Sequence, residues 1–83
     1  MEKIVYGNLQ SEGLEVVARD GRHFVRYDAG AHQPAWREDE LTELELASIK
    51  LGGSVQQQAM FDLQRRLEQS GINPYLQNWA NQA

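Results

Sequence analysis

The sequence predicts an α+β domain. A small antiparallel sheet of three strands, with a possible fourth at 35–41, precedes two or three helices packed on one of its faces. Three observations carry this. Runs of β-branched and aromatic residues fill the first third of the chain. An Asp20-Gly21 pair splits two such runs with a two-residue loop, which is a hairpin signal. The second half changes to an apolar period of three to four residues, with capping signals ahead of each segment. Strands first and helices second is an α+β order, and 83 residues are expected to make one domain, with the sheet in 1–41 and the helices in 42–83.

The first strand is expected at 3–6, Lys-Ile-Val-Tyr, and Ser11-Glu12-Gly13 reads as a turn. Asp20-Gly21 suits a type I′ turn, whose central residues both take positive φ. That turn fixes the register: Arg19 opposes Arg22, Ala18 His23, Val17 Phe24, Val16 Val25, Glu15 Arg26 and Leu14 Tyr27. Side chains alternate along a strand, so Leu14, Val16, Ala18, His23, Val25 and Tyr27 share the apolar, core face. Glu15, Val17, Arg19, Arg22, Phe24 and Arg26 share the wetter one, where Glu15 and Arg26 can pair across strands.

Residues 28–35 have loop composition. Residues 35–41, AWREDEL, suit either an edge strand or an acidic lead-in to a helix. Thr42-Glu43-Leu44-Glu45 is a capping box, with Leu41 and Leu46 at staple positions, so a helix is expected over about 43–51 until Gly52-Gly53 stops it. Ser54-Val55-Gln56-Gln57 reads as a second box. It opens a helix to about residue 70 with an apolar stripe of Val55, Ala59, Met60, Leu63 and Leu67. Asn73-Pro74 starts a short third helix, about 74–81, carrying Tyr75, Leu76 and Trp79.

Eight basic and twelve acidic residues leave a net charge of −4, which speaks against a dedicated duplex-binding protein while permitting a local basic patch. There is no cysteine, which fits a reducing compartment. The first residues lack a signal-peptide pattern, and no apolar run approaches 18 residues, so a cytoplasmic chain with no membrane partner is expected. So small a core would gain from a homodimer.

No catalytic constellation emerges, and no cofactor or metal is expected. The two histidines, His23 and His32, lack metalloprotease spacing. With Asp28 they make three ligands where a structural zinc site needs four. His23 is expected to be partly buried on the core face, and His32 solvated. Gly52-Gly53-Ser54 lacks the spacing and lysine of a P-loop and reads as a helix–helix turn.

Two features point to a partner. Glu38, Asp39, Glu40, Glu43 and Glu45 place five carboxylates within eight residues. Helix-dipole complementarity accounts for Glu43 and Glu45, and less well for Glu38, Asp39 and Glu40. A dense acidic segment can meet arginines and lysines that otherwise hold phosphate. The second feature is the hairpin face, where Arg19, Arg22 and Arg26 flank Phe24 beside Val17. With a protein partner, Phe24 and Val17 are the anchor and the arginines the rim. With nucleic acid, the guanidiniums meet phosphates and Phe24 stacks a base. As scaffold, arginine stems cover the ring.

In size, acidity and lack of catalytic groups the chain resembles small accessory inhibitors and regulators of bacteria and phages. The resemblance is one of type and carries over no residue. The expectation is a non-catalytic protein-binding module, with a nucleic-acid-associated regulator or a structural homodimer as alternatives.

Overall fold

The computed structural model describes residues 2–28 and 36–72. They form a four-stranded antiparallel sheet in the order β1-β2-β3-β4: β1 Lys3–Asn8, β2 Leu14–Arg19, β3 Arg22–Asp28 and β4 Trp36–Glu40. A short helix, α1 (Leu9–Glu12), joins β1 to β2. Helices α2 (Glu43–Lys50) and α3 (Gly53–Gln69) follow the sheet and cover one face of it. The α+β class expected from sequence is the one observed. The ambiguous segment is a strand, paired through Phe24–Glu40, Val25–Asp39, Arg26–Glu38 and Tyr27–Arg37. The expected third helix and His32 lie outside the described residues.

The hairpin follows its turn chemistry. Asp20 and Gly21 take φ of 55° and 77°, and all six expected β2–β3 pairs are present. The stretch read as a turn at 11–13 is instead the end of α1. Asn8 caps that helix, its side-chain oxygen accepting from the Gln10 and Ser11 amides at 3.0 Å each, and Gly13 closes it at φ 75°. β1 therefore runs two residues past the expected Tyr6, with a register shift between Ile4 and Tyr6.

The core lies between sheet and helices. Val16, Val25 and Tyr27 meet Leu41, Ile49, Ala59, Leu63 and Leu67, with Leu14, Leu46 and Met60 packed around them. Burying one such aliphatic side chain stabilises by about 1.5–3 kcal/mol. His23 is partly buried, as expected. The position expected of Val55 goes to Gln56, and Val55 is 44% exposed. Gln56 Nε2 donates to the Tyr6 hydroxyl at 3.1 Å and to the Ile49 carbonyl at 3.0 Å, tying the α2–α3 corner to β1. No described helix is long and apolar enough to cross a membrane.

The Thr42 capping box is complete: the Glu45 amide donates to Oγ1 of Thr42 at 3.2 Å, and the Thr42 amide to Oε1 of Glu45 at 2.9 Å. The expected Ser54 box is absent. Gly52 (φ 71°) and Gly53 (φ 56°) turn the chain tightly, Gly52 is already the N-cap, and no side chain caps α3. Ser54 thus sits inside the first turn, two residues past the N-cap, where its hydroxyl is not placed to accept from the amides that a capping residue would satisfy. Thr42→Ala is expected to lower unfolding free energy by about 1 kcal/mol. Ser54→Ala should leave the urea midpoint where it is, and an equal loss for both variants would restore the second box.

Candidate functional site

The strand alternation sorts the acidic segment. Glu38 and Glu40 stand opposite Arg26 and Phe24, on the sheet face turned away from α2 and α3, while Asp39 stands opposite Val25 on the helix-covered face. A dense ridge of three carboxylates is therefore not formed. Reading 36–40 as a strand is the signal that separates them, because period two sends every second side chain to the other side.

On the open face, the three hairpin arginines meet four glutamates. Arg19 pairs with Glu38 and, at 3.2 Å, with Glu2. Arg22 makes a two-pronged contact with Glu40, its Nε donating to Oε2 at 2.7 Å and Nη2 to Oε1. Arg26 is the hub. It donates to Glu2 at 2.7 Å and to Glu15 at 3.1 Å, and its Nε lies 3.6 Å from Glu38 Oε2. That Nε is buried without a hydrogen-bond partner among the described residues. Glu15 joins this lattice to the scaffold, since its Oε1 accepts the Leu9 amide at 3.1 Å. Glu2 was not among the expected site residues; it precedes β1, where no periodicity marks it.

Beneath the lattice lie apolar groups. Val17 is fully buried, paired across strands with Ile4 and Phe24. Phe24 is half-buried, with the Arg19 guanidinium carbon 4.5 Å and that of Arg22 5.7 Å from its ring centroid. Two expected contact residues are therefore supports. Val17 is sealed under its neighbours, and Asp39, 8% exposed, faces the helices. Arg19, Arg22, Phe24, Arg26, Glu38 and Glu40 remain together on the open face.

Asp39 has a separate role. It accepts from the Tyr27 hydroxyl at 2.6 Å and from both prongs of Arg37 at 2.9 and 2.7 Å. Burial, reinforced by the Asp39 carboxylate, raises the Tyr27 phenol far above its ordinary range, so it stays protonated and donates. The hydrogen bond to Asp39 raises Arg37 in turn.

The exposed ends of the lattice are expected to add a small acid sensitivity. The hydrogen bond from Arg26 lowers the Glu2 carboxyl below its ordinary value of 4.5, and that from Arg22 does the same for Glu40. A carboxyl depressed in the folded state stabilises above its unfolded pKa, and the contribution is lost as pH falls through the folded value. Melting temperature should therefore drop as pH falls below about 4.5. In a Glu2→Gln/Glu40→Gln variant that dependence should be shallower, as read by thermal scans across the acid range.

Chemically, the face presents fixed donors and acceptors around one aromatic ring. Three guanidiniums against four carboxylates leave it slightly negative. Among the described residues no group of His, Asp and Glu side chains is placed to hold a metal ion. Comparison with protein-family models, curated proteins and solved structures finds no match.

Proposed function

We propose that this chain is a non-catalytic protein-binding domain, a small inhibitor or regulator that acts by occupying its partner's surface. The open sheet face is the contact, with Phe24 as anchor and Arg19, Arg22, Arg26, Glu38 and Glu40 as its polar surround. One observation carries the reading: Phe24 sits half-buried with two guanidiniums over its ring, each already held by a carboxylate. An aromatic ring flanked by ordered arginines has the composition of a hot spot, and prior ordering lowers the entropic cost of docking. The same pairing works against nucleic acid. A phosphate would have to displace Glu38 and Glu40 from a face whose local charge is negative, and it would release few counterions.

The test uses the tagged domain, with Phe24→Ala beside it, to capture partners from a bacterial lysate, followed by titration of the captured protein at two salt concentrations. Phe24→Ala should weaken the complex by about 2 kcal/mol, a roughly thirtyfold loss, as for a central aromatic anchor. Because the ring is half-buried, folding stability should fall by only about 1–2 kcal/mol. A folding loss of about 3–5 kcal/mol with affinity intact would make the ring scaffold. Oligonucleotide binding that falls steeply with salt would favour the nucleic-acid alternative.

A further inference from the structure

The helical layer carries an apolar surface that the core does not use. Helix α2 turns Leu46 and Ile49 inward. Yet Leu44 is 77% and Leu51 74% exposed. Leu44, Ala47, Ser48 and Leu51 follow the spacing i, i+3, i+4, i+7 and form one uncharged stripe on the outer side. A helix with apolar stripes on two sides is built to be covered on both. Beside the stripe, between α2 and α3, runs an open groove of about 420 Å³ lined by Ser48, Ser54, Val55, Gln58, Ala59 and Asp62.

We infer that this surface docks a second copy of the chain, with α2 packed antiparallel against α2 of the partner about a two-fold axis near Ala47 and Ser48. Two features select a second copy. The first is shape. The stripe sets a projecting leucine at each end of the small pair Ala47 and Ser48, so a two-fold axis there lets the helices approach closely at the centre and lays Leu44 of each copy against Leu51 of the other. The second is charge. Glu43 and Lys50 stand seven residues apart on the same flank of the stripe, and neither has an ion-pair partner among the described residues. Antiparallel pairing brings Glu43 of each copy near Lys50 of the other and opposes the two helix dipoles, whereas parallel pairing would bring like charges together.

The contact is small. Eight residues of helix span about 12 Å, which places the interface at the weak end of specific association, with dimerisation expected above roughly 10 μM. It lies on the far side of the helical layer from the open sheet face, so a dimer leaves Phe24 accessible and each proposal can fail without the other.

Sedimentation equilibrium from about 10 μM to 1 mM tests it by mass action. The wild-type mass should rise from 9.5 kDa toward twice that value. Leu51→Asp, at an exposed position, should keep its circular dichroism and stay monomeric. Lys50→Glu should weaken the dimer about fivefold or more, and Glu43→Lys added to it should restore most of the affinity. The inference is overturned if the wild type stays at 9.5 kDa throughout, or if Leu51→Asp associates like the wild type. It is equally overturned if mass grows past a dimer, or if the charge reversals have no effect.

Discussion

Gly7→Ala is expected to lower the unfolding free energy by about 3 kcal/mol or more, combining left-handed backbone strain with a steric clash. Gly7 sits in β1 opposite Glu15 with φ 76°. A Cβ there would stand 2.5 Å from the Leu14 carbonyl oxygen and 3.2 Å from the Glu15 Cα. Both are backbone atoms, so relief requires β1 and β2 to separate. Separation would also strain Asn8, which caps α1, and Glu15, which links the Leu9 amide to Arg26. Gly13→Ala is the control. Its φ is 75° but its Cβ would meet nothing within 4 Å, so it should cost only about 1 kcal/mol. Urea midpoints for the two variants measure the difference, and equal losses would remove the close approach from the explanation.

Asp39→Ala should also cost about 3 kcal/mol, because it strands buried partners. Arg37, whose side chain is 12% exposed, loses its counter-charge, and the Tyr27 hydroxyl loses its acceptor. Asp39→Asn keeps an acceptor and should lose less. Glu40→Ala, one residue on, breaks an exposed pair and should barely move the midpoint. The contrast between neighbours in one acidic run follows from strand alternation. Similar losses at Asp39 and Glu40 would contradict the assignment of the two to opposite faces.

Most of the architecture is readable where local chemistry and global pairing agree. Asp20-Gly21 dictates both turn and register, and Thr42 with Glu45 satisfies two amides at once. The misreadings arise where a local signal competes with a tertiary demand. Ser54 offers a cap, but the paired glycines before it begin the helix earlier, and the inward place passes to Gln56, whose amide is held by Tyr6 and Ile49. Ser11-Glu12-Gly13 resembles a turn until Asn8 is seen to cap the residues before it. Phe24 and the arginines were legible as one face because the hairpin places them there. That Val17 is sealed depends on β1 and β3 flanking it, and that Asp39 turns inward depends on how β4 aligns against β3, which a run of charged residues does not announce.

The charge pattern bears on function in the same way. From sequence, three arginines on one face and a run of acids further on are two separate surfaces. In the fold Glu38 and Glu40 of that run share the arginines' face, and together with Glu2 and Glu15 they supply its counter-ions. Such a face offers a partner ordered side chains in place of a strong net field, which favours recognition by fitted contacts over long-range attraction.

The most direct measurement of whether a protein partner reads this face is the affinity of the captured partner for the reversal Arg22→Glu/Glu40→Arg. The reversal keeps an ion pair between the same two strands, so the melting temperature should stay close to that of the wild type. It presents opposite charges on either side of Phe24, so a partner fitted to the original pattern should bind about tenfold or more weakly by isothermal titration. Wild-type affinity in a folded reversal variant would show that the partner does not read these side chains, and would return residues 15–26 to a role in the scaffold.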